Sequence, residues 1–422
     1  MMSAKTFSSF LFLVCVSLFF SCSSNHKPNV SAIVKPTLSI NLYIETSASM
    51  AGYLNGQTEF KDIVTGLASK LKDLTADTLL FKIDTLNYFT INDNHWERKF
   101  DNTNDFISSI LNSKLMTSGS SLIHKILKQG IDTLNTSSVN ILITDMILSY
   151  GSNEIKRNSK INVQNIDGLK NLIHSYFTEA RNKKIGFAVF SFKSKFKGTY
   201  YDFSNNKHNI DTLRPFYAIF YGHSILLNKI IPRLKKLDFN YEHDFYSPLT
   251  SEVDYKILQT KKLGEWYLTS DRKNIEDVKI NSKSPIKFLI ALDLNSLPKF
   301  IDMNYLNKNL HINGSDIKIG SYKIYDSNEI KIETKDDIKN NLETPTHYIE
   351  VNVLDIYKKY ANLSFSLDYR IPEWIGAQST LNDSNPVKEG IKTFGLEKFI
   401  NGMYDAYNID VKLINLTIKL GQ

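Results

Sequence analysis

Cysteine is almost absent from this 422-residue chain, which carries only Cys15 and Cys22. Both lie near the N-terminus, so an intrachain disulfide, a thiolate zinc cluster and a cysteine nucleophile are not expected in the body of the protein. Histidine is thinly spread, with nine in all. None stands in a His-x-x-x-His pair or a Gly-x-Ser-x-Gly context. The serine-rich run Ser118–Ser121 therefore has no indicated histidine–acid partner to make it a nucleophile. Gly-rich phosphate loops of the nucleotide-binding type are missing. Lys and Arg exceed Asp and Glu by 51 to 44, but they are interspersed and form no basic block. Nucleic acid is accordingly not expected as a partner. Glycine and proline are sparse in the second half, which blurs element boundaries there, and no internal repeat is evident.

What is present describes a folded protein. Hydrophobic residues make up 42% and charged residues 23%, and the length calls for two domains. Lys5 precedes an apolar run, Phe10 to Phe20, that suits a secretory signal and is too short to span a bilayer. The run ends in Phe19-Phe20-Ser21-Cys22, which resembles a loose form of the bacterial lipoprotein lipobox. That resemblance implies cleavage before Cys22 and lipidation of it, with 1–21 as signal and 22–36 as a polar tether. Several acyl chains, at about 0.8 kcal/mol per buried methylene, would anchor the chain firmly to a membrane.

From about residue 37 to 237 strands and helices alternate. Leu38–Glu45, Val139–Asp145, Ile185–Phe192 and Arg214–Tyr221 read as buried strands. Helices are expected near 57–74, 104–111, 122–134, 167–184 and from Ser224 onward. Near-continuous apolar strands between helices predict an α/β fold, a doubly wound, mostly parallel sheet of Rossmann-like kind. Residues 238–422 predict a mostly β second domain, a sandwich with a helix near Leu396–Tyr407 and a closing strand. Glu329–Glu333 is among its expected strands. Phe239–Asp244 reads as an ordinary interdomain linker, and the aromatics Trp266, Tyr267, Tyr322, Tyr325 and Trp374 as core.

Three oxygen-bearing stretches fall at expected strand ends or loops: Glu45/Ser47/Ser49, Ser118/Ser120/Ser121, and Asp145. A sheet gathers ligands at the carboxyl ends of its strands, and a hard cation such as Mg²⁺ prefers oxygen donors. At this point the chain resembles a von Willebrand factor type A domain. That family carries Asp-x-Ser-x-Ser after its first strand, a loop Thr and a later Asp. Here Ser47, Ser49, Met50 and Gly52 match the first motif, Ser120 the Thr, and Asp145 the later Asp. The resemblance covers roughly residues 37–237 and implies a metal-ion-dependent adhesion site, with Mg²⁺ or Mn²⁺ held by Glu45, Ser47, Ser49, Ser120 and Asp145. Three positions depart from the pattern. Glu45 replaces Asp, which moves its carboxylate roughly an ångström outward. Ser120 lacks the methyl that stiffens a threonine rotamer. Met146 stands where a glycine is usual.

The resulting expectation is a binding protein rather than an enzyme. It would be lipid-anchored in the cell envelope, at the outer membrane, and grip a protein partner through the cation site. The alternatives are a metal-free scaffold of an envelope complex and, more weakly, an envelope hydrolase.

Overall fold

The alternation of β1, Thr37–Glu45, decides how the first half is built. Leu38, Ile40, Leu42 and Ile44 are all essentially closed to solvent on one face, and Ser39, Asn41, Tyr43 and Glu45 point to the other. The computed structural model describes residues 37–422 except 77–81, 93–95, 116–120, 149–165, 203–205, 248–252, 282–283, 390 and 408–411. Parallel neighbours flank β1 on both sides: β2, Lys82–Ile91, and β4, Ser138–Thr144. β3, Trp96–Phe100, adds antiparallel to β2 at the outer edge.

An asparagine ladder pins the register of the three parallel strands. Asn87 Nδ2 donates to Asn41 Oδ1 at 2.9 Å, and Asn41 Nδ2 donates to Asn140 Oδ1 at 2.9 Å. A slip of one residue would break both bonds and turn the polar face inward.

Beyond β4 the sheet departs from the expected design. β5, Ile185–Tyr201, and β6, Lys207–His223, form one long antiparallel hairpin, and β6 pairs antiparallel with β4. β7, His243–Tyr246, completes the order β3-β2-β1-β4-β6-β5-β7. The expectation of a doubly wound, mostly parallel sheet is therefore wrong. In this sheet only β2, β1 and β4 are paired in parallel, and strands hold 43% of the described residues against 32% in helices. The physical reason lies in residues 193–213, which fall between the two expected strands. They continue both strands, with Phe196, Tyr200 and Ile210 buried between more exposed neighbours. What remains between them is far too short for the crossover that parallel strands require. Apolar continuity in β5 and β6 reflects cover on both faces, not parallel pairing.

Against one face lie α1 (Glu59–Ala76), α2 (Thr103–Leu111) and α5 (Ser224–Lys236), whose apolar stripes share a core with Ile40 and Leu42. α2 begins at Thr103, one residue before its expected start, and is capped by Asn102, which accepts from Asp105 N. The other face carries α3 (Ile123–Thr133) and α4 (Ile166–Asn182).

The rest of the chain contributes two further sheets. One runs β13-β14-β11-β8 and is antiparallel throughout, using Ile317–Asp326, His347–Ile356, Ile286–Asp293 and Asp254–Leu263. The second runs β12-β15-β18-β10-β9, using Leu310–Ser315, Tyr360–Asp368, Lys412–Gly421, Ile275–Lys279 and Glu265–Leu268. Short helices α6 (Met303–Asn309), α7 (Lys335–Asn340) and α8 (Glu373–Ala377) join them, with the two-residue strands β16 (Ser379–Thr380) and β17 (Thr393–Phe394). Ser327–Glu329 is a 3₁₀ turn capped by Asp326, and residues 330–333 form no strand. α9, Leu396–Tyr407, packs on α4: Phe177 and Phe399 meet edge to face at 5.7 Å, and Arg181 donates to Ala406 O at 2.6 Å. Residues 37–422 form one compact unit. The expected boundary after 237 falls between α5 and β7, and β7 belongs to the first sheet. Trp266 is fully buried and Trp374 nearly so, whereas Tyr267 and Tyr322 are exposed.

Asn41→Ala should lower unfolding stability by about 1–3 kcal/mol, because it strands the amides of Asn87 and Asn140. Urea unfolding with an unchanged midpoint would show that the ladder does not hold the register.

Candidate functional site

β1 and β4 end side by side, and each delivers a carboxylate to one edge of the sheet. Glu45 is the last residue of β1, and Asp145 follows the last residue of β4. Both are buried, 4% and 5% exposed. The Glu45 carboxyl is pushed up to about 8, first by burial and second by the Asp145 charge, with hydroxyls of Ser47, Thr144 and Ser121 opposing. Burial also raises Asp145, against a hydrogen bond from Ser49 and the charge of Arg214.

Hydroxyls tie these groups together. Ser47 Oγ donates to Glu45 Oε1 at 2.5 Å and lies 3.0 Å from Ser49 Oγ. Thr144 Oγ1 donates to Glu45 Oε2 and accepts from Met146 N at 2.9 Å. Asp145 Oδ1 accepts from Ile147 N at 3.3 Å. Met146 takes a φ of +58°, the left-handed region where glycine is cheapest. The glycine usual in the adhesion-site family would fit this backbone, so Met146 is more than a neutral exchange.

The turn that carries the serines is held from below. Ala48–Tyr53 is a 3₁₀ helix. Its Tyr53 is fully buried, donates to Pro215 O at 2.5 Å, and packs on Phe60, Phe196 and Phe216 at 5.0 to 5.9 Å between ring centres. Gly52 sits against the Phe196 ring, where an added Cβ would come within 2.3 Å of a ring carbon. The β5–β6 hairpin, unforeseen in the sequence, is thus what the turn rests on.

Arg214 of β6 is the nearby cation. It is 2% exposed, stands 4.1 Å over the Tyr200 ring, and contributes charge to both Tyr53 and Asp145. The 373–394 segment closes on the same region. Tyr200 donates to Asp383, Tyr217 Oη lies 2.9 Å from Thr393 Oγ1, and Leu148 N donates to Phe394 O at 3.0 Å.

Of the expected ligands, Glu45, Ser47, Ser49 and Asp145 are brought together. Ser120 lies outside the described residues, as do Cys22 and the whole signal and tether. Its neighbour Ser121 reaches the cluster: its Oγ is shut from solvent near Glu45 and has no partner at hydrogen-bonding geometry. Sequence reasoning did not single out Thr144 or Arg214. Thr144 was discoverable, since pairing Ile44 with Ile143 sets the next residues, Glu45 and Thr144, side by side. Arg214 carried no local signal.

The donor set suits a hard divalent cation: two buried carboxylates that repel each other, several hydroxyls, and no nitrogen or sulfur. Among the described residues no group of three or more His, Cys, Asp or Glu could hold a metal, so a cation here would depend on the hydroxyls. Glu45 already receives one hydroxyl on each oxygen, which suits a role that orients Ser47 and reaches the cation through water. Compared with known proteins, the chain matches no protein family, no characterised protein and no solved structure. The von Willebrand resemblance rests on the motif residues alone. No helix among the described residues is long and apolar enough to cross a membrane.

Gly52→Ala should destabilise the fold by about 1–3 kcal/mol through overpacking against Phe196, read as a lower melting temperature. An unchanged melting temperature would mean that the turn does not bear on the hairpin. Because the folded state raises Glu45 from 4.5 to about 8, it holds a proton that the unfolded chain releases. In chelator, this group's contribution to stability should be full below pH 4.5 and be lost as pH rises through about 8. The slope approaches about 1.4 kcal/mol per pH unit for one proton. Glu45→Gln should flatten that slope, and an identical pH profile in wild type and variant would refute the assignment.

Proposed function

We propose that the chain is a lipid-anchored cell-envelope protein that binds a protein partner through the oxygen cluster at the ends of β1 and β4, with Mg²⁺ or Mn²⁺ as the bridging ion. The observation that carries this reading is convergence. Glu45, Ser47 and Ser49 meet Asp145, a hundred residues on from Glu45, and Ser121 from a third stretch approaches the same carboxylate. Ser47, Ser49 and Ser120 would hold the ion directly, with Glu45 and Asp145 as direct or water-mediated ligands. The bound ion would supply positive charge for an acidic side chain of the partner. Ser49 is the more open member, so the partner would approach from its side. Residues around the cation would then add a surface contact to a charge-assisted one.

A second reading, a metal-free scaffold of an envelope complex, draws on a specific observation. The cluster partly satisfies itself through Ser47, Thr144 and Ser49, and Arg214 already places a cation near Asp145.

Thermal unfolding of the full chain with and without Mg²⁺ or Mn²⁺ separates the two. The cation reading predicts a saturable rise in melting temperature, worth about 2.7 kcal/mol at a hundredfold excess over Kd, that Asp145→Ala abolishes. No rise in wild type favours the scaffold, and an equal rise in Asp145→Ala places the ion elsewhere.

A further inference from the structure

A cavity of about 360 Å³ lies between the end of α5 with its following turn and the 294–301 loop beside the start of β14. One wall is Phe239–Tyr241, the first half of the stretch that the sequence presented as a linker. We propose that this cavity binds a neutral sugar residue.

Charge is the first argument. Lys235 is mostly buried and already committed: it donates to Leu297 O at 2.9 Å and faces Asp244 Oδ2 at 3.4 Å. Asp244, fully buried, also accepts from Lys299 N at 2.7 Å and from the Tyr246 hydroxyl at 2.8 Å. This hub is internally neutral. The lining charges left over are Lys299 and Asp238, one of each sign. A lining without net charge selects neither an anion nor a cation.

Hydrogen-bonding capacity is the second. Asp238 and Asn240 line the cavity with a carboxylate and an amide that match the paired donors and acceptors of vicinal hydroxyls, and Asn295, whose Nδ2 donates to Asp293 Oδ1 at 2.8 Å, adds its amide oxygen. His347 adds an acceptor. Thr346 Oγ1 donates to Leu292 O at 3.1 Å and lies 3.0 Å from His347 Nδ1, an arrangement that suits the tautomer protonated at Nδ1. The neutral ring, favoured by burial, then keeps its other nitrogen as an acceptor.

Shape and apolar surface complete the case. Phe239, Leu297, Pro298 and Ile301 supply an apolar lining for the C–H faces of a ring. The volume is at the small end of the roughly 300–1,000 Å³ typical of ligand pockets, which suits one or two sugar units.

The test is saturation-transfer NMR on the full chain with glucose, galactose, mannose and N-acetylglucosamine, alongside glucose 6-phosphate and glucosamine. The proposal expects saturable binding of at least one neutral sugar. It expects an affinity about tenfold weaker in Asn240→Ala and in Asp238→Asn, equivalent to the loss of one good polar contact. Asn tolerates the left-handed backbone at 238 (φ +58°), so both variants should keep the wild-type melting temperature. Chelator should leave sugar binding unchanged, which separates this site from the cation cluster. No saturable binding up to about 100 mM, tighter binding of either charged sugar, or wild-type affinity in both variants would overturn it.

Discussion

Two carboxylates, buried side by side at the ends of neighbouring strands, are the constraint on which this architecture turns. Glu45 and Asp145 are forced together by the parallel pairing of β1 with β4, and the asparagine ladder fixes that pairing residue by residue. Burying like charges is unfavourable unless something compensates. The chain supplies hydroxyls from Ser47 and Thr144, a cation in Arg214, and a proton on Glu45 at neutral pH. Each is a partial solution. A divalent cation would be a fuller one, and it would replace the proton rather than add to it.

The support beneath this edge comes from far along the chain. Tyr53 anchors the serine turn on Phe196 and Phe216 of the hairpin, and Arg214 reaches Asp145 from the same hairpin. The 373–394 segment then binds the hairpin in turn through Asp383 and Thr393. The site therefore depends on residues spread over more than three hundred positions, which is why it belongs to the whole 37–422 unit and not to a detachable first half.

Sequence reading recovered the tip of β1 and the end of β4 because a strand followed by oxygens is a local pattern. It identified most helices for the same reason, since the spacing of Phe60, Val64, Leu67 and Leu71 is set within one element. Strand direction was not legible. Ile185–Phe192 looks the same whether its neighbour runs parallel or antiparallel, and the polar alternation of 193–213 resembles a loop until Phe196 and Tyr200 are seen on one face. Thr144 becomes visible only once β1 is paired with β4, and Arg214 was hidden by having no partner close in sequence. Met146 shows the limit from the other side: its identity was visible, but its left-handed backbone was not.

Anomalous scattering from crystals grown in Mn²⁺ tests the central claim most directly. The account predicts a single strong peak at the edge formed by β1 and β4, within ligand distance of the Ser47 and Ser49 hydroxyls and close to Asp145. Crystals saturated with Mn²⁺ that show no peak there, with Glu45 and Asp145 still bridged only by their hydroxyls, would contradict it.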